Sequence, residues 1–240
     1  GLPSECDLVA LSVLVPAATT RLLLKDSAAE PVLAATLLPM AWPALHRADD
    51  QLMVGLQVTG GSGDPSRDIA AALLEAQELP AGSPVLSVGR PGPGPRLQDI
   101  LNTSVELDIE VHAGFDYWLE GAAGDVTEDM TAALGRANEQ VVPTARLASV
   151  EAAYWCRIGT KEHLRWVLPE SEDDLLNAFA KLAADNQLGL GPGTKYIGCF
   201  RSHGLLAAVW DLAPGDEADD IEEAASAFRE KLDIALADSS

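Results

Sequence analysis

The sequence predicts an α+β fold of two similar halves, each an antiparallel sheet with a covering helix, packed into one compact pseudo-duplicated unit. Three observations predict it. Residues 42–88 run through a paired-strand pattern, an amphipathic helix and another strand, and residues 154–199 repeat that order. The strand-like runs alternate apolar and polar residues, the mark of a sheet with one buried face. The helix-like runs carry a single apolar stripe, suited to covering one sheet face. The halves are expected over residues 1–125 and 126–240, the second ending in a helix, with Gly121–Asp125 as the linker.

Taken in order, Ser4 is placed to cap a first helix, with Glu5 and Asp7 in its opening turn and Pro16 beyond its end. Arg21–Lys25 and Val32–Met40 are short apolar runs bounded by Pro and Asp, and read as strands. Trp42–Arg47 and Gln51–Val58 read as a hairpin around Ala48-Asp49-Asp50, with Leu52, Val54, Leu56 and Val58 on one face. After the Gly-rich turn Thr59–Asp64, a helix over Ser66–Glu78 carries Ile69, Ala70, Leu73 and Ala76 on its stripe, followed by a strand at Val85–Val88.

The run Gly89–Pro95 (GRPGPGP) is a stiff, exposed loop, and Arg96–Leu101 adds a helical turn. Leu107, Ile109 and Val111 alternate with acids and His112 in a half-exposed strand, which continues or bends at Gly114 into Phe115–Leu119. Thr127 caps a helix reaching about Gln140. The second copy then supplies a hairpin over Ala153–Ile158 and His163–Leu168, a Ser171-capped helix over Asp173–Ala184, and strands at Tyr196–Phe200 and Leu205–Leu212. The acidic run Asp216–Glu223 opens a last helix through about Ala237.

Charge and composition exclude several functions. There are 37 acidic against 16 basic residues in 240, a formal net charge of −21 that repels phosphate backbones and anionic membrane surfaces. Neither nucleic acid nor membrane is therefore expected as a partner. Cys6, Cys156 and Cys199 form no C-x-x-C pair, which argues against a zinc knuckle or redox motif and for a reducing, cytoplasmic setting. No basic leader stretch precedes the first helix, and the abrupt start suggests a trimmed upstream segment.

The chemistry-bearing residues form no recognised catalytic pattern, and no catalytic residue, metal ligand or cofactor is assigned. Thr59–Arg67 lacks both the Gly-Lys-Ser/Thr ending and G-x-G-x-x-G, so it reads as a turn and cap. His46, His112, His163 and His203 fall on or beside strands, with no helical i, i+4 pair to hold zinc. Arg201-Ser202-His203 is contiguous, whereas a catalytic triad draws on distant segments. Trp42, Trp118, Tyr154, Trp155, Trp166 and Trp210 suit core packing, or alternatively a pocket or partner surface. The residues retained as binding candidates are His112, Asp116, Tyr117, His163, Arg165, Arg201 and His203.

The strings Gly1–Leu11, Pro39–Leu45, Ser62-Gly63-Asp64, Ser66-Arg67-Asp68, Gly94–Asp99, Ala153–Cys156, His163–Pro169 and Val209–Leu212 resemble an uncharacterised actinobacterial family, a domain of unknown function. The resemblance covers nearly the whole chain. Longer members look as if they begin with a cysteine-rich head similar to the zinc-binding tail of the SecA translocase; this sequence starts downstream of it, so no zinc role passes to any residue here. The family implies no activity and no catalytic residues. The expected function is a non-enzymatic protein-binding or adaptor domain. The alternative is a small-molecule-binding protein, or an enzyme of unfamiliar type, using a groove between the halves.

Overall fold

The computed structural model describes residues 2, 4–25, 31–57, 61–120 and 126–238. The fold is α+β, with two sheets. The chain divides into two compact units, Gly1–Ser4 with Val15–Val141, and Glu5–Leu14 with Val142–Ser240. The first helix, α1 (Glu5–Val13), therefore belongs with the C-terminal part of the chain. The expected linker Gly121–Asp125, and Val58 to Gly60 of the hairpin and Gly-rich turn, lie outside the described residues.

The first unit holds β1 (Ala18–Leu22), β2 (Val32–Ala35), β3 (Ala44–His46), β4 (Leu52–Gly55), β5 (Ser83–Val85) and β6 (Ile109–Val111) in the order β5-β3-β4-β2-β1-β6. Every pairing is antiparallel except β2 with β4, so this sheet is mixed where an antiparallel one was expected. Helix α2 (Pro65–Glu78) packs its stripe of Ile69, Ala70, Leu73 and Ala76 against β3, β4 and β5. Asp64 caps it by accepting the Arg67 N–H at 3.2 Å. Helices α3 (Leu97–Ile100) and α4 (Glu128–Asn138) complete the unit, and Thr127 caps α4 as expected.

Two stretches expected as strand take other shapes. The Val32–Met40 run pairs only to Ala35, then enters a 3-10 turn at Pro39–Ala41. Phe115–Leu119 forms a 3-10 turn at Asp116–Trp118. The cause is long-range hydrogen bonding. The Phe115 N–H donates to Asn138 Oδ1 at 2.8 Å, and the Tyr117 hydroxyl and Trp118 Nε1 both donate to the Leu37 carbonyl, at 2.8 and 2.9 Å. Gly114 is needed there, because a Cβ would stand 2.8 Å from Asn138 Oδ1. Ser4 does not act as the expected cap; it is left-handed at φ 56°, and its hydroxyl accepts the Leu107 N–H at 3.4 Å.

The second unit adds β7 (Thr144–Arg146), β8 (Ala153–Ile158), β9 (Lys161–Leu168), β10 (Lys195–Ser202) and β11 (Leu205–Asp211) in the fully antiparallel order β10-β11-β9-β8-β7. Helices α5 (Glu172–Ala184) and α6 (Ala218–Ala237) cover one face. Trp155, Leu164, Trp166 and Trp210 of the sheet meet Leu175, Phe179, Phe228 and Leu232 of the helices. Trp210 sits 5.2 Å from Phe228, 5.3 Å from Tyr196 and 6.3 Å from Trp166, ring centre to ring centre, at angles that favour edge contacts. Tyr154 alternates with Trp155 on β8 and so faces the other side, where Asp7 of α1 reaches it.

A hairpin followed by a covering helix recurs as β3-β4-α2 and β8-β9-α5, but the strands around it are arranged differently. The strand after the helix joins β3 in the first unit, whereas in the second β11 lies beside β9 and carries β10 outside it. Among the described residues, no helix is long and apolar enough to cross a membrane.

Candidate functional site

The candidates in the first unit lie close together. His112 Nε2 is 2.8 Å from Thr19 Oγ1, and its ring lies 5.2 Å from that of Tyr117. Tyr117 is buried, and that burial pushes its hydroxyl pKa up, so it acts as a donor to the Leu37 carbonyl. Asp116 opens the same 3-10 turn and is exposed. This cluster fastens the turn to the sheet.

The second-unit candidates are spread along β9 and β11. His163 faces Asp211, with Nδ1 2.9 Å from Oδ1 but poorly aligned for a hydrogen bond. Arg165 lies between Tyr154 and Val209 in the neighbouring strands. His203 occupies the tight β10–β11 turn at φ 49°. It is separated from the Asp211 end of β11 by about 20 Å at ~3.3 Å per residue. Arg201 projects from β10 and forms a two-pronged pair with Glu172 at the start of α5, holding that carboxyl below its ordinary pKa.

Arg201 directs attention to its own strand. Three of the four sheet edges, β5, β6 and β7, are three residues long. The fourth, β10, has eight, and among the described strands it pairs only with β11. Among the described residues, no strand lies along its other edge. Tyr196 and Cys199 turn toward the core, while Phe200 faces outward at 42% exposure and Ile197 stands out at 50%. Ile197 is the extra residue of a bulge, opposite the step from Trp210 to Val209, with Gly198 at φ 137°. A long edge bearing large apolar side chains is a template for another strand, and native chains commonly blunt such edges. Here Lys195, the bulge and Arg201 restrict the template to a short, directional stretch.

Comparison with known families matches residues 1–240 to the Family of unknown function (DUF5926). The chain belongs to that family. No curated protein and no solved structure matched it. The family description carries no activity, so chemical assignments for this DUF5926 chain rest on its own geometry.

Two further features escaped sequence reading. In the second unit, Cys6, Arg146, Trp166, Pro169, Glu170 and Arg229 line an open groove of about 440 Å3. Arg229 pairs there with Glu170 at 2.7 Å and with Asp233, and Arg146 pairs with Asp7 at 3.0 Å. Burial, reinforced by Asp7 and Glu170, pushes the Cys6 thiol up to about 12. At pH 8 that lowers its thiolate fraction about a thousand-fold relative to an ordinary thiol. Alkylation of Cys6 by iodoacetamide is therefore expected to run at least ~100-fold slower than that of free glutathione, as followed by mass spectrometry of the Cys6 peptide. The second feature is a small pocket beside α2. Among the described residues, no group of three or more His, Cys, Asp or Glu side chains is placed to hold a metal ion.

Proposed function

We propose that this chain is a non-enzymatic protein-binding domain that takes up an extended polypeptide segment along β10. The eight-residue edge strand with outward Phe200 and Ile197 carries this reading. Strand addition supplies affinity through main-chain hydrogen bonds, and apolar side chains of the partner covering Phe200 and Ile197 supply specificity. The net charge of −21 selects a basic segment and speeds its encounter. Three free cysteines support a cytoplasmic setting. In an actinobacterial host, longer family members would add a zinc-dependent docking head to this body. A second reading, small-molecule binding, is favoured by a buried carboxylate at the wall of the first unit's pocket.

Selection of displayed random peptides on the full chain is the direct test. The expected ligands are extended, rich in Lys and Arg, and carry alternating apolar residues. Changing Ile197→Asp and Phe200→Asp together should weaken them at least ~30-fold, as at a binding hot spot. The same pair should cost folding stability no more than about 1 kcal/mol per site, because both side chains are about half exposed. Peptides that bind the double variant as tightly as the parent would rule out β10 as the site.

A further inference from the structure

We propose that the segment taken up along β10 runs antiparallel to it, carries basic residues at its amino-terminal end, and is anchored by an aromatic side chain seated over Gly198 beside Phe200. This rests on the β10 reading above and names the direction, register and chemistry of the occupant.

The register follows from the turn. β10 and β11 join through His203 and Gly204, at φ 49° and 86°. Positive φ at both central residues marks a two-residue type I′ turn, whose flanking pair is hydrogen-bonded. That pair is Ser202 with Leu205. Such pairs alternate along an antiparallel ladder, so Phe200 also bonds to Ala207, whereas Cys199 and Arg201 turn their N–H and C=O groups away from β11. The other side of β11 agrees. The Leu212 N–H donates to the Glu162 carbonyl at 3.0 Å, so even-numbered residues of this strand bond toward β9 and odd-numbered ones toward β10. Outside the β10–β11 ladder, no main-chain hydrogen bond among the described residues uses Cys199 or Arg201, and no residue of β10 is buried. These groups frame one added strand, and an antiparallel one continues the pattern of the whole sheet.

Side-chain chemistry follows from the same register. Toward an added strand, Gly198 and Phe200 fall at the non-hydrogen-bonded positions, where facing Cβ atoms come within about 5 Å. Both lie on the face opposite Cys199, away from the α5–α6 core. Phe200 presents a ring there at 42% exposure. Gly198 presents nothing: its φ of 137° reserves the position for glycine, and no atom lies within 4 Å of where a Cβ would stand. The bulge that demands this glycine therefore leaves an empty seat beside Phe200. An aromatic side chain placed across from an edge glycine covers its bare backbone, and here it meets the Phe200 ring on the diagonal.

Charge sets the direction. Helix α5 opens with Glu172, Asp173 and Asp174, and Arg201 pairs with Glu172, so the acidic turn stands at the Arg201 end of the edge. Lys195 stands at the other end. In an antiparallel segment, basic residues at the amino-terminal end lie beside these acids; in a parallel one they would lie beside Lys195.

The probe is the peptide acetyl-KRKVSFS-amide, whose V opposes Phe200 and whose F opposes Gly198, mixed with the full chain and read by two-dimensional amide NMR. Binding should slow hydrogen exchange at the Cys199 and Arg201 amides at least ~10-fold, while Phe200 and Ser202, already bonded to β11, change less than ~2-fold. Replacing F by A in the peptide, or reversing its sequence, should weaken binding at least ~10-fold, as loss of a hot-spot contact does. A nitroxide on the peptide's amino terminus should broaden the amides of Glu172, Asp173 and Ser202 and spare those of Lys195 and Tyr196. Undiminished binding by the altered peptides, broadening at Lys195 and Tyr196, or failure of the probe where peptides selected on the chain do protect Cys199 and Arg201 would overturn this proposal and leave β10 as the capture edge. No protection of these two amides by the probe or by any selected peptide would overturn both.

Discussion

Replacing Trp210 by alanine is expected to cost the second unit about 3–5 kcal/mol, the range for deleting a buried tryptophan. Trp210 is fully buried at the meeting point of β10, β11 and α6, in ring contact with Trp166, Tyr196 and Phe228. Its Nε1 also donates to the Leu188 carbonyl at 2.7 Å, so the substitution leaves that acceptor unpaired as well as opening a cavity. For a unit of this size, such a loss lowers the melting temperature by on the order of 10–20 °C. Near-ultraviolet circular dichroism on heating reads it directly. Ile234→Ala on α6, where the side chain is 67% exposed, is the matched control and should change stability by less than about 0.5 kcal/mol. A Trp210→Ala melt indistinguishable from that of the control would mean that the rings around Trp210 do not form one packed core.

The substitution also bears on β10. Tyr196 is the residue through which β10 grips the core, leaning on Phe179 and Trp210. A partner strand needs a firm edge, so loss of Trp210 is expected to weaken peptide capture at β10 without altering Phe200 or Ile197. Peptide affinity measured well below the melting transition separates this loosening from global unfolding.

What the sequence discloses and what it withholds follow from the range of the forces involved. Helices α2, α5 and α6 are legible because their apolar stripes recur at helical spacing, and the β8–β9 hairpin because Leu164, Trp166 and Leu168 alternate with His163, Arg165 and Val167. These signals are local. The turn at Asp116–Trp118 is not legible, since its shape is set by Leu37 and Asn138, which are distant along the chain. Strand β7 is three residues long, too short for its alternation to stand out. The β10 site was half visible. A strand was expected over Tyr196–Phe200, but its place at the sheet edge depends on pairing order. That order decides whether Phe200 reads as core or as contact surface. Asp68 carries no motif; its interest arises only when the fold surrounds it with Pro43, Ile69 and Leu86.

Asp7→Ala is the second large expected effect, and it probes the element whose partners the sequence hides most completely. Asp7 lies in the first turn of α1, where an acid suits the helix dipole and needs no other explanation. In the fold it is 4% exposed. It accepts two hydrogen bonds from Arg146, at 3.1 and 3.0 Å, and one from the Tyr154 hydroxyl at 2.6 Å. Burial and the neighbouring carboxylate both push the Tyr154 hydroxyl pKa up, so it remains a donor throughout the physiological range. Removing Asp7 strands a partly buried guanidinium and a buried hydroxyl together. Breaking such a group from one side costs ~3–5 kcal/mol. The lower part of that range, about 3 kcal/mol, is expected because Arg146 retains 29% exposure and can recover some hydration. Tyr154→Phe removes one hydrogen bond and should cost about 1 kcal/mol. In the double variant the two losses should not add, since both act on one network. Hydrogen exchange localises the effect: amides of α1 should lose protection in Asp7→Ala before those of β8 and β9. If α1 keeps its protection and the melting temperature is unchanged, the triad is not what holds this helix against the sheet.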